Sequence, residues 1–133
     1  MVEEIKHNGE LYAIIIKNSF SKDGISFFTE DDNTQQLAFM KHPKGKKIIP
    51  HIHNSVERTV YYTQEVLVIK KGVLRVDFYD KSSEFLFYRV LNAGDVILLA
   101  AGGHGFEIIE DLEMFEIKQG PYVGDLDKSR FDI

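Results

Sequence analysis

The chain contains no cysteine, so disulfides, thiolate metal ligands and a cysteine nucleophile are all excluded. It also lacks any excess of positive charge. The formal net charge of −5 at pH 7 argues against a general nucleic-acid binder, which works through a basic footprint. The one basic run, Lys44, Lys46 and Lys47 around Gly45, is short and reads as a solvated loop. Long apolar stretches are missing as well: Leu11 to Ile16 falls far short of the ~20 residues that span a bilayer. Glu3 and Glu4 stand where a secretory signal would carry basic residues, and the expected location is cytoplasmic, with no membrane and no nucleic-acid partner. Helical periodicity is absent too, since no convincing 3.6-residue repeat runs for ten or more residues.

What the chain has instead is a series of short apolar and β-branched segments separated by Gly, Asn, Asp and Ser. They are Leu11–Lys17, Ile25–Thr29, Leu37–Met40, Ile48–His53, Thr59–Tyr62, Glu65–Lys71, Leu74–Tyr79, Phe85–Leu91, Asp95–Ala100, Gly105–Ile109 and Leu112–Lys118. These are strand lengths. Leu74, Val76 and Phe78 alternate with Arg75, Asp77 and Tyr79, which implies one buried and one wetter face. Turns are expected at Lys70-Lys71-Gly72, at Asp80-Lys81-Ser82-Ser83 and at Gly94-Asp95. The expected class is all-β, a sandwich or barrel of short antiparallel strands, in a single domain over 1–133 with a tail at 119–133. Tyr122 and Phe131 suggest that this tail packs, either on the barrel or on a second subunit, as against fraying.

Three of the five histidines fall into one pattern. His51 and His53, two apart on an expected strand, would point to one face and could converge on one ion. Glu65, at the head of a clear strand, and His104, on a later glycine-rich segment, would complete a set of three imidazoles and one carboxylate. Glu57 is the rival carboxylate. Such donors suit iron, manganese, nickel, zinc or copper, so one divalent transition metal per chain is expected. Four protein ligands on an octahedral ion leave two positions open, and with a divalent ion the site carries a net charge of about +1. His7 and His42 have no such partners and are expected at the surface. Tyr61, Tyr62, Gln64, Arg75 and Glu107 are candidates near the site, none with a catalytic assignment, and catalytic residues stay unknown.

In these residues the chain resembles the cupin superfamily of small jelly-roll barrels. Gly45 is followed by five residues and then His51-Ile52-His53; Glu65 is followed by six residues and then Gly72. Gly94-Asp95 and Gly102-Gly103-His104 match the outline of the family's second motif. The likeness covers about residues 37 to 118. It departs from the family in the long Asn54–Gln64 interval before the carboxylate, in Ala100 where proline is common, and in the early position of His104. The family implies a double-stranded β-helix with a core at 37–118 and a metal held by His51, His53, Glu65 and His104. The segments Lys118–Tyr122 and Gly102–Phe106 are similar to small bacterial cupins linked to surface-polysaccharide assembly, which implies a sugar or sugar-nucleotide ligand. A metal-dependent enzyme, of isomerase type or an oxygenase, is the expected function; a non-catalytic ligand-binding or sensor cupin is the alternative, and a barrel with a structural metal a third. A homodimer is expected because small barrels leave edges and apolar faces to cover, with Leu11–Ile16 and the aromatic tail as contributors.

Overall fold

The computed structural model describes residues 1–132. The chain is all-β, with eight strands: β1 Val2–His7, β2 Glu10–Ile16, β3 Gly24–Phe27, β4 Ala38–Lys41, β5 Glu65–Tyr79, β6 Phe85–Asn92, β7 Val96–Leu99 and β8 Gly103–Lys118. A single 3-10 turn, Gly124–Leu126, is the only helical element among the described residues. Among the described residues, no helix is long and apolar enough to cross a membrane. The residues divide into two compact units, one of 1–20 with 63 onward and one of 21–62.

In the first unit, one antiparallel sheet runs β1-β2-β7-β5-β6, and β8 pairs along the other side of β5. The centre of this sheet is β5, whose 15 residues would measure roughly 45–50 Å if flat. It is not flat. Glu65–Val68 pair with β7, while Val73–Tyr79 pair with β6, so the strand exchanges one neighbour for another on the same side. The exchange happens around Gly72, where the register with β8 shifts three times between Ile69 and Leu74. Bulges of this kind bend a strand and increase its twist. Gly72 sits at φ +93, and a Cβ there would overlap the carbonyl oxygen of Asp111. Only glycine fits both constraints.

The bulge also repairs the side-chain pattern. Strict alternation would put Leu67 and Leu74 on opposite faces. Both are nevertheless fully buried, in one cluster with Ile69, Val76 and Phe78 from the same strand and Ile5, Ile15, Leu91, Ile97 and Leu99 from its neighbours. Each such side chain contributes about 1.5–3 kcal/mol by leaving water. The expected turn at Lys70-Lys71-Gly72 is thus a corner inside one continuous strand. The expected strands Gly105–Ile109 and Leu112–Lys118 likewise run together as β8.

The corner is pinned from the β6–β7 connection. The Gly94 N–H donates to the Ile69 carbonyl, and the Ile69 N–H donates to the Asp95 carbonyl. The Asp95 side chain is buried and accepts from the Asn18 N–H at 2.8 Å, from the Asn92 N–H at 2.7 Å and from the Lys17 ammonium at 3.4 Å. One carboxylate therefore ties the ends of β2 and β6 to the start of β7. Gly94-Asp95 is a turn, as expected. The turn after β5 is also where the sequence puts it, with Asp80 Oδ1 accepting from the N–H groups of Ser82 and Glu84.

The second unit holds the β3–β4 hairpin, in register from Gly24 opposite Lys41 to Phe27 opposite Ala38. Its connecting loop is organised by Gln36, whose amide donates to the carbonyls of Glu30 and Asn33, both at 2.8 Å, and accepts from the Thr29 hydroxyl. Two expected strands are not formed here: Ile48–His53 and Thr59–Tyr62 lie in irregular chain. Pro50 gives the reason for the first, because it removes a ladder donor and restricts Ile49 in the middle of the segment. The second is four residues long and mostly exposed, with no strand partner among the described residues. β1, in contrast, is a strand that the sequence pattern did not single out; Ile5 alone of its side chains is buried.

The corner makes a testable demand. Asp95→Ala leaves the backbone N–H groups of Asn18 and Asn92 without their acceptor and is expected to cost about 1–3 kcal/mol in urea denaturation. Gly72→Ala is expected to cost more than about 2 kcal/mol by strain and overlap. Midpoints unchanged from the parent protein would show that neither residue holds the corner.

Candidate functional site

The curl of the first unit brings together residues from opposite ends of β5. Glu65 begins the strand, opposite Leu99 of β7 and Lys118 of β8. His104 is near the other end of the β5–β8 ladder, opposite Phe78. Across the rolled sheet, His104 Nε2 lies 2.9 Å from Glu65 Oε1. Glu65 is mostly buried and His104 about one-third exposed, so the pair sits at the mouth of the half-barrel formed by the sheet.

A second carboxylate joins them. Glu116 of β8 hydrogen-bonds to Glu65, and the Lys118 ammonium is 4.0 Å from Glu116. The bond to His104 holds the Glu65 carboxyl well down, at about 2, against the opposing effect of burial. Glu116 moves the other way: its hydrogen bond to Glu65, burial and the like charge of Glu65 all favour its protonated form. Two carboxylates thus share one polar bond beside an imidazole.

These groups line a cavity of about 590 Å³. Its apolar walls are Tyr79, Phe106 and Phe131. The Phe131 ring packs edge-on against Tyr79 with centroids 5.0 Å apart. The two glycines before His104 make this approach possible: a Cβ on Gly102 would overlap the Tyr12 ring, and one on Gly103 would stand 3.1 Å from both Phe131 and Tyr79. The tail, residues 127–131, forms part of the wall, and the Thr63 hydroxyl donates to the Asp127 carboxylate. The tail therefore packs on its own barrel sheet, one of the two alternatives left by the sequence.

The other expected ligands belong to the unit of residues 21–62. His51 and His53 are exposed and lie in irregular chain, not on a strand. Their rings are nonetheless neighbours, with centroids 5.2 Å apart at 77°. His51 Nδ1 is 2.9 Å from the Ile49 carbonyl, which as acceptor fixes the proton on Nδ1 and leaves Nε2 with a free lone pair. Glu57 is exposed in the same unit. Among the described residues, no three His, Asp, Glu or Cys side chains form a group that could hold a metal ion.

Of the remaining candidates, Tyr61 and Tyr62 are exposed, and Gln64 receives the Gln119 N–H on its backbone carbonyl. Arg75 and Glu107 line a different cavity, where the Arg75 Nε donates to Asp77 at 2.8 Å and its guanidinium lies 3.9 Å over the Tyr88 ring. His7 and His42 are half-buried, His7 against the Tyr12 ring. Sequence reasoning missed Glu116, Tyr79 and the tail residues. Glu116 alternates with Leu112 and Met114 on an apolar strand face, the one signal that could have marked it as an inward carboxylate.

No family model matches the chain, and neither does any curated protein or solved structure.

The two carboxyl shifts have opposite signs for stability in metal-free protein. Glu65 contributes stability that is present above pH 4.5 and lost as pH falls from 4.5 towards 2. Glu116, with its folded value raised, contributes at low pH and loses that contribution as pH rises through the raised value. Glu65→Gln is therefore expected to lower stability at pH 7 and to flatten the acid limb of the denaturation profile. Glu116→Gln is expected to raise it at pH 7 by no more than about 1 kcal/mol, given solvent screening. Equal effects of the two variants at pH 7 would contradict this arrangement.

Proposed function

We propose that the protein is a cupin-type jelly-roll that binds one divalent transition metal beside a small-molecule pocket, and that it acts as a metal-dependent enzyme of isomerase or oxygenase type on a small polar substrate such as a sugar derivative. The observation that carries this reading is the 2.9 Å separation of Glu65 Oε1 and His104 Nε2. Both residues are also ligand positions of the sequence motif. Two donors on adjacent sites of one ion, at bonds of about 2.1 Å, stand about 3.0 Å apart. The pair thus fits the edge of a coordination shell, with a proton now between the donors.

The imidazoles of His51 and His53 fit the same donor chemistry, with neighbouring rings and the His51 Nε2 free. Their link to Glu65 and His104 is the ordered motif, not a measured distance. A bound ion would supply Lewis-acid or redox chemistry to a ligand in the adjacent cavity. The chain's own residues do the rest. Glu65 stays ionised, Glu116 stands in hydrogen-bonding reach of it as a group able to exchange a proton, and Tyr79, Phe106 and Phe131 give the cavity an apolar wall.

Metal content of protein purified without chelator tests this reading, and about one ion per chain is expected. His51→Ala, His53→Ala, His104→Ala and Glu65→Gln should each lose the ion, while Glu57→Gln should keep it. A metal-free parent protein after reconstitution, or retention in the Glu65 and His104 variants, would defeat the proposal. With the metal loaded, turnover of sugar derivatives with or without dioxygen uptake separates an oxygenase from an isomerase, and tight binding without turnover would make the protein a sensor.

The same reading takes the protein as a homodimer. β8 supports it: its 16 residues have β5 as their one strand neighbour among the described residues, and Phe115 and Ile117 are at least half exposed. Sedimentation is expected to give twice the 15.3 kDa of one chain, and Phe115→Glu is expected to return it to the monomer mass.

A further inference from the structure

The cavity beside Glu65 is lined by three carboxylates, Glu65, Glu116 and Asp127, and by two cations of the tail, Lys128 and Arg130. Each acidic group there is already engaged: Glu65 by His104, Glu116 by Glu65 and Lys118, and Asp127 by the Thr63 hydroxyl. The cations of the tail are held less closely, and Lys128 acts on Glu116 only through its charge. Lys128 and Arg130 line the cavity, yet neither has a carboxylate within 4.0 Å among the described residues. Elsewhere in the unit, cations beside carboxylates form pairs, as Arg89 does with Glu3 at 2.8 Å and Lys81 with Glu10 at 2.7 Å.

The tail that carries these cations is held by its ends. Phe131 is anchored on Tyr79 over the Gly103 gap, and Asp127 is anchored on Thr63. Between the last strand and Asp127, Tyr122, Val123 and Leu126 are all exposed. The packing of this strap therefore has one evident consequence, which is to set the interval 128–130 along the cavity. The exposed ammonium and guanidinium reach the cavity from one short segment, and such a pair suits a compact oxyanion, since charged hydrogen bonds to it are short and strong.

We propose that Lys128 and Arg130 form the specificity wall of the pocket and that its ligand is a small molecule bearing a phosphate or carboxylate group. This rests on the cavity being the ligand pocket, as in the preceding reading, but not on a metal being bound. The probes are inorganic phosphate and succinate, titrated separately into the full chain and followed by backbone amide shifts. Saturable shifts are expected at Gly102, Gly103 and His104, with the stronger of the two anions identifying which group the ligand carries. The Lys128→Gln, Arg130→Gln double variant should weaken binding at least tenfold, and Phe131→Ala, which frees the strap, should weaken it as well. Lys71→Gln, at the β5 corner, should leave it unchanged. No saturation by either anion, equal affinity in the double variant, or equal loss in Lys71→Gln would overturn the proposal. Metal content of the same variants is read in parallel: loss of anion binding with metal retained concerns the wall alone, whereas a metal-free parent that still binds anion defeats the metal reading alone.

Discussion

The bend at Gly72 is the constraint on which the first unit depends. Without it, β5 is a long flat strand whose ends lie tens of ångströms apart. With it, the strand exchanges β7 for β6, keeps its apolar side chains on one face through the change of parity, and rolls until Glu65 meets His104. The core and the site are therefore products of one backbone event. This explains why a glycine, not a better strand former, stands in the centre of the longest stretch of β-branched sequence. It also explains why Asp95 is buried without loss: its carboxylate stands beside the corner and satisfies the backbone donors of the strands that end there.

Much of this architecture could be read from the chain, because strand formation leaves a local record. Alternation in Leu74–Phe78, the turn residues of Asp80–Ser83 and the Gly94-Asp95 pair all mark features that the structure has. Where the reading went astray, the cause was non-local. Lys70-Lys71-Gly72 carries a turn's composition, but a turn and a strand corner have the same local chemistry; only the presence of β8 opposite decides between them. Ile48–His53 has a strand's composition, and Pro50 overrides it. The strand order of the curled sheet is a matter of which strand pairs with which, and nothing local encodes that.

The site follows the same division. Glu65 and His104 were named from their order and their neighbours, and they stand in contact. Glu116 was not named, because its claim comes from cross-strand geometry: it matters only once β8 lies antiparallel to β5 with Glu116 opposite Leu67. Arg75 and Glu107 face a separate cavity because they occupy the opposite pleat from Val76 and Phe106. A period of two decides which charged residues can meet, but only after the register is known.

The company that Glu65 keeps sets this end of the half-barrel apart from the core. Its neighbours along the inward face are Leu67 and Ile69, and those of Glu116 are Leu112 and Met114, all packed on the core. A barrel mouth sealed for stability alone would continue that series. Instead the two inward positions carry carboxylates that repel each other, one driven towards the protonated form by the other. Like charges this close disfavour each other even though Glu116 is about half exposed. The imidazole of His104 offsets the charge of only one of them. Two strands thus bring a carboxylate pair and an imidazole to one cavity walled by three aromatic rings.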